Sequence, residues 1–387
     1  MSLDRVLDQL TSLDPLSRRR FLEGLGIAAG STLGLSLLAA CGGSGASPTS
    51  AGTAAGSTPH HLPTTSKELI WTDLGGAIRA ARTKAYFDPF MKEYGINVTF
   101  AQGFSQAQFL AGAKAGSPPS DSFDSTARFV ISFTDQGLAQ RLPAAVTRTN
   151  AVMPAKYQDY CGGGYSYSLG MATKTDAFGG SQPQSWADFF NFAKFPGKRA
   201  LPKYSGSEQY SIEIALLADG VAADQLFPLD VDRAIAKLKT AKSNILFFDS
   251  FGMASQFLTS GTASIVMNSN ARVHALNATG AQLFYQFNQA IIFSWSGFPV
   301  PVGAPHADAM FALIDFMDRP DRQAEFARQI PYGPTNSAAF DLLDDATKAL
   351  LPNSPANLRV GVPDNPVAAA RQASELTQKF TAFLAAG

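Results

Sequence analysis

Leu69-Ile70-Trp71-Thr72, then Asp73-Leu74-Gly75-Gly76, then Ala77 to Glu93 and, after Tyr94-Gly95, Ile96-Asn97-Val98-Thr99-Phe100 follow one another. The first run is short and apolar and is bounded by turn residues, as a buried strand requires. Asp-Leu-Gly-Gly reads as a turn. In the third stretch Ile78, Ala81, Ala85 and Phe90 recur at helical spacing, with Pro89 to be accommodated near the end. Ile96 to Phe100 is a second strand, and Phe104 to Lys114 a second helix closed by Gly116 and Pro118-Pro119. Strand, helix, strand, helix in this order predicts an α/β fold with a mainly parallel sheet.

The pattern continues downstream. Asp121 to Ser125 reads as a short strand, Arg128 to Gln136 as a helix stopped by Gly137, and Tyr165 to Thr173 as a further strand. Ser185 before Trp186-Ala187-Asp188 has the form of a helix cap and predicts a helix over Trp186 to Ala193. A second α/β unit follows: strand Arg199 to Leu201, helix Ser207 to Asp219, helix Val231 to Lys242, strand Ile245 to Phe248, helix Met253 to Leu258, strand Ser264 to Met267. Strands at Ala281 to Gln286 and Phe298 to Val302 and a helix at Ala307 to Asp318 come after them. Ligands in open sheets of this class gather at the carboxyl ends of the strands. That rule singles out the loops Asp73 to Gly76 and Asp124-Ser125-Thr126.

Upstream, Ser17-Arg18-Arg19-Arg20-Phe21-Leu22 is a twin-arginine motif, followed by an apolar run from Leu25 that ends in Leu37-Leu38-Ala39-Ala40-Cys41. Basic residues hold the start in the cytoplasm, the apolar run enters the bilayer, and small residues before the cysteine admit the peptidase. Residues 1–41 thus look like a Tat-type lipoprotein signal with Cys41 as the lipidated residue, and the run is shorter than the ~20 residues of a membrane span. Residues 42–66 are Gly, Ser, Thr, Ala and Pro with almost no large apolar side chain, and read as a tether between lipid and folded chain. The expected location is extracytoplasmic, held to the membrane by lipid alone.

Of the 387 residues, Lys plus Arg number 31 and Asp plus Glu 31. Four of each fall in the signal, and the balance is unchanged without it. No charge excess favours nucleic acid or an anionic membrane surface. With Cys41 lipidated, Cys161 has no intrachain partner and reads as a buried thiol. Of the four histidines His60 and His61 sit together in the linker, and His274 and His306 lie far apart without Cys or His neighbours at ligand spacing, so no metal site is supported. The folded part holds no Gly-x-Ser-x-Gly elbow and no phosphate-loop or Gly-x-Gly-x-x-Gly motif, so the reading is a non-enzyme without cofactor.

Trp71 to Gly76 with its helix, Pro183 to Phe189, Glu213-Ile214-Ala215-Leu216-Leu217-Ala218-Asp219-Gly220, Pro228 to Arg233, Asn288-Gln289-Ala290 and Ile330-Pro331-Tyr332-Gly333-Pro334 together resemble ABC-transporter solute-binding proteins of the spermidine/putrescine type. The resemblance runs from about Leu69 to the C-terminus. It implies a two-lobed type II periplasmic binding protein: 67–170 and 298–335 form one lobe, 171–297 and 336–387 the other, and a small solute is held in the cleft between them. Helices at Phe340 to Leu350 and Val367 to Ala385 would complete the second lobe. The implied partners are the solute, an ABC permease and its ATPase.

Polyamine binders of this type hold a methylene chain between aromatic rings and its ammonium ends on carboxylates. Residue by residue, the family's acid at the second-lobe helix falls on Ser207, its Trp on Ser269 before Asn270, and its return-strand acid on Ser296. Trp295 offers an aromatic face beside the last. Asp73, Asp124 and Asp249 each follow a predicted strand and could converge on a cation in place of the lost acids, although aspartate is also a common turn residue. Conversely Ser207 at a helix start, with backbone N–H groups at Gly75 and Gly76, would suit a carboxylate or phosphate. Both signs of ligand charge stay open, as does the role of Tyr165 and Tyr167 beside Gly162-Gly163-Gly164.

Overall fold

Apolar segments at strand and helix spacing must bury their faces on one another, and the computed structural model shows how this is done for residues 61–72, 75–101, 106–149, 153–203, 210–293 and 295–386. Asp73, Ser207 and the signal with Cys41 lie outside the described residues.

The first sheet is parallel, in the order β2 (Asn97–Phe100), β1 (Glu68–Thr72), β3 (Ser122–Phe123). Its helical crossover begins with α1 (Gly76–Arg82) and ends with α2 (Asp88–Tyr94), joined by a π-helical stretch at Thr83–Phe87. Pro89 has no N–H to give the preceding turn, and the wider π geometry directly before it absorbs the missing bond. Gly95 closes α2 in the left-handed conformation at φ 66°. After α3 (Gln106–Lys114) and β3, the expected single strand breaks at Asp124 into β3 and β4 (Ser125–Thr126). Thr126 Oγ1 then caps α4 (Ala127–Asp135) by accepting from Phe129 N at 3.3 Å. Beyond α5 (Ala155–Gln158), the short β5 (Cys161–Gly162) precedes the long β6 (Tyr165–Lys174).

The larger sheet runs β13 (Val362–Pro363), β10 (Leu283–Phe293), β6, β9 (Ile265–Ser269), β7 (Arg199–Pro202), β8 (Ile245–Phe248). Its helices include α6 (Trp186–Phe189), α7 (Tyr210–Ala218), α8 (Val231–Lys239), α9 (Phe251–Ser260) and α10 (Asn270–Ala278). β7, β8, β9, β10 and β13 are mutually parallel in direction and β6 opposes them, so their carboxyl ends share one edge with the start of β6. A small antiparallel sheet of β4, β11 (Ser296–Pro299) and β5 closes the first unit, and β12 (Gly333–Pro334) pairs with Ser166 and Tyr165. β6 and β12, with the residues before β11, are where the chain passes between the two sheets.

Several elements differ from the sequence expectation. The strand expected at Ala281 to Gln286 extends to Phe293 through a bulge, where Gln289 takes φ 58°. The helix expected at Phe340 to Leu350 is a 3-10 turn at Ser337–Leu342 followed by α13 (Asp345–Leu350). Pro320 starts a helix not foreseen, α12 (Pro320–Gln329), after α11 (Ala307–Met317). Another unforeseen helix, α14 (Pro355–Val360), leads into β13. The C-terminal stretch divides at Gln372 into α15 (Pro366–Arg371) and α16 (Ala373–Ala385).

Residues 61–66 belong to the folded body, against the tether expected there. Leu62 is buried in the core, the His61 ring stacks on Tyr94 at 4.3 Å, and Asp308 at the start of α11 accepts from the backbone and hydroxyls of Thr65 and Ser66.

Candidate functional site

The cleft edge is set by strand polarity: the carboxyl ends of β1 and β3 lie on one side, those of β7, β9, β10 and β13 on the other, with Tyr165 to Leu169 between them. Gly75 (φ 68°) and Gly76 (φ 62°) start α1 in backbone conformations that a side chain would strain. A Cβ at either would meet nothing within 4 Å, so the demand is conformational and not steric.

The Asp124 carboxylate is engaged within the protein. Arg82 Nη2 lies 2.9 Å from Oδ2, and the Tyr165 hydroxyl donates to the same carboxylate at 2.9 and 3.0 Å. The Arg82 guanidinium is fully buried, 5.3–5.6 Å from the ring centres of Trp71, Tyr165 and Phe298. Removing Asp124 would break a buried ion pair on one side, which is costly. Ser125 is buried, and its Oγ has no hydrogen-bond partner among the described residues; Trp71 Nε1 is in the same position. Thr126 serves the cap of α4.

The Asp249 side chain is 60% exposed and pairs with Lys203 Nζ at 3.0 Å, just after the outer strand β8. It shares no contact with Asp124. Trp295 is core: it is buried with Ala127, Val130, Ile131, Met153, Tyr157 and Cys161, its ring 6.4 Å from Tyr157. Burial pushes the Cys161 thiol far above its ordinary range, in keeping with an inert position.

Three of the expected polar residues act at the crossing. Ser296 Oγ accepts from Tyr165 N at 3.0 Å. Asn270 Oδ1 accepts from Ser168 N at 3.2 Å, and its Nδ2 donates to Pro331 O at 2.7 Å, pinning α10 to two crossing segments at once. Ser269 caps α10 by accepting from Arg272 N at 3.3 Å. The structure thus groups Asp124, Ser125, Thr126 and Ser296 around Tyr165, and Ser269 with Asn270 across from them.

The sequence reading missed Tyr332, Arg272 and Arg82. Tyr332 lies 4.4 Å from Tyr165 and 6.5 Å edge-on to Tyr167, ring centre to ring centre, making an aromatic wall of the two tyrosines left unsettled by sequence. Burial raises its hydroxyl pKa, and the nearby Arg272 opposes that rise. Arg272 is half-buried in the first turn of α10, 5.8 Å from the Phe251 ring, and no carboxylate among the described residues pairs with it. Tyr332 stood inside a quoted motif, whereas nothing local marked Arg272.

A cleft between two α/β sheets with three crossing connections defines a periplasmic binding protein. The sequence pattern of the bacterial extracellular solute-binding proteins matches residues 85–353, and the chain belongs to that family. It is 32% identical over 334 residues, 83% of this chain and 92% of the other, to a gamma-aminobutyric acid-binding protein of Pseudomonas aeruginosa. Spermidine/putrescine-binding periplasmic proteins are more distant: the Escherichia coli protein is 25% identical over 222 residues, 55% of this chain and 60% of that one. Among solved structures, an ABC transporter substrate-binding protein from Bradyrhizobium japonicum is 30% identical with a TM-score of 0.75, covering 82% of this chain and 99% of its own. The Agrobacterium tumefaciens binding protein AgtB in complex with agropinic acid gives 30%, 0.74, 82% and 98%. The chain is an ABC-transporter substrate-binding protein for a small solute, outside the cytoplasm, and its family is one of binding proteins and not of enzymes.

Proposed function

We propose that the solute is a small zwitterion, an ω-amino acid or an amino-acid-derived opine, which the protein hands to an ABC permease and its ATPase. One observation carries this: the two described carboxylates expected to hold ammonium groups are neutralised by Arg82 and Lys203, while Arg272 at the start of α10 has no carboxylate partner among the described residues. A guanidinium beside a helix N-terminus suits a carboxylate, through charge-assisted hydrogen bonds and the helix dipole. The relatives named for gamma-aminobutyric acid and agropinic acid support the same class. A long dication would find no such pairing on this wall.

Calorimetry with 4-aminobutyrate, agropinic acid, putrescine and spermidine tests the reading. The acids should bind, and Arg272→Gln should weaken them roughly 10- to 100-fold, the effect of a lost hydrogen bond to a charged group. Tight binding of spermidine with the acids silent would overturn it. Attachment through lipidated Cys41, with residues 67–170 and 298–335 as one lobe, is part of the same proposal; Cys41→Ala should release the protein from the membrane fraction.

A further inference from the structure

Three charged residues from three separate elements meet in the buried interior. Arg128 is the second residue of α4, just after β4; Glu213 lies in α7, the helix that follows β7; Asp364 directly follows β13. Arg128 Nη2 donates to Glu213 Oε1 at 2.7 Å and also to Asp364 Oδ1, and its Nε donates to Asp364 Oδ1 and Oδ2 at 3.2 and 3.3 Å. The guanidinium lies 4.5 Å from the centre of the Tyr210 ring. All three side chains are at most 2% exposed.

The charges do not balance. Among the described residues one cation, Arg128, faces the two carboxylates. Burying a net negative charge is costly unless something positive joins it. Glu213 Oε2 is moreover buried without a hydrogen-bond partner among the described residues. A proton on Glu213, towards which burial pushes the group, would settle the charge but would leave an O–H with no acceptor at that oxygen. A protonated amine supplies both the charge and the donors.

We propose that Glu213 Oε2 binds the ammonium group of the solute, completing the charge balance of the Arg128–Glu213–Asp364 triad. The proposal rests on the zwitterion reading and assigns its cationic end. Arg128 comes from α4 and the two acids from elements of the larger sheet, so a bound amine would add a link between the two sides.

The test is calorimetry of wild type and Glu213→Gln with 4-aminobutyrate and with butyrate, which keeps the carboxylate and lacks the amine. Wild type should prefer 4-aminobutyrate, and E213Q should bind it roughly 10- to 100-fold more weakly with no loss for butyrate. Equal affinity of E213Q and wild type for 4-aminobutyrate would overturn the proposal and leave the triad a structural lock. If wild type ignores 4-aminobutyrate, the ligand reading fails separately, and a panel of amines and organic acids decides this one: a bound solute without a protonated nitrogen overturns it, and an amine weakened by E213Q supports it. Should E213Q fail to fold, Asp364→Asn removes one of the same charges, and unchanged amine affinity there is equally refuting.

Discussion

Replacing Asp124 with Asn separates a structural carboxylate from a ligand carboxylate. The amide oxygen still accepts from the Tyr165 hydroxyl, so that bond survives, but Arg82 loses its ion pair with Asp124 while remaining fully buried among aromatic rings. Breaking a buried pair on one side costs about 3–5 kcal/mol. With an unfolding entropy of roughly 2.1 cal/mol/K per residue over about 320 folded residues, this is a fall of about 5–7 °C in Tm. Scanning calorimetry of the ligand-free protein reads it directly, with Asp249→Asn as comparison, since an exposed pair contributes about 0–1 kcal/mol at most. Replacing Arg82 and Asp124 together by Met and Leu should recover much of the loss, because the buried charges then disappear as a pair. An Asp124→Asn protein that melts within about 1 °C of wild type but binds its solute poorly would refute the structural assignment and return Asp124 to the ligand.

Two further outcomes follow from the crossing segment. Asp318 is buried under the Gly162–Gly164 turn, accepting from Gly163 N at 3.0 Å, and burial pushes its carboxyl up to about 7. A carboxyl raised on folding stabilises fully below its unfolded pKa and loses that contribution as pH rises through the folded value, so stability should decline between about pH 4 and 7. Asp318→Asn keeps the acceptor, should flatten that decline, and should melt above wild type at pH 8, with no difference near pH 4; urea titrations at several pH values check this. Gly164 has φ 101°, and a Cβ there would stand 2.2 Å from Ser296 O. Gly164→Ala should therefore cost more than about 1 kcal/mol and lower solute affinity by displacing the crossing, which thermal melting and calorimetry would show; a neutral Gly164→Ala excludes a tight crossing.

What could be read from sequence was what depends on near neighbours. The strands Leu69–Thr72 and Ile245–Phe248 and the helix Val231 onwards follow from apolar period alone, and the Ser185 cap follows from its own hydroxyl: Asp188 N donates to Ser185 Oγ, and Asp188 Oδ2 in turn accepts from Gln184 N. The expected strand stops at Gln286, short of Asn288-Gln289-Ala290, because the support for the continuation of β10 is remote, in ladder bonds to β6 and in Trp186, whose N and Nε1 donate to Gln289. The site suffered in the same way. Asp124 resembles any strand-end aspartate until Arg82 of α1 is seen beneath it, and Trp295 resembles a cleft aromatic until α4 covers it. Glu213 did carry a local sign: it is a lone acid in the apolar run Ile212 to Leu217, where only a buried partner justifies a charge.

Asn270, Ser296 and Gly164 hold the crossing by gripping backbone and not side chains: Asn270 takes Ser168 N and Pro331 O, Ser296 takes Tyr165 N, and Gly164 admits the Ser296 carbonyl. Main-chain groups are the same whatever residue bears them. A joint built on them places no demand on which side chains line the cleft, so mutation can exchange those side chains without retuning the mechanics of opening. Inheritance can then treat the two halves of the protein's task separately: the moving part is kept as scaffold, and the diet of the cell is rewritten on its walls a residue at a time.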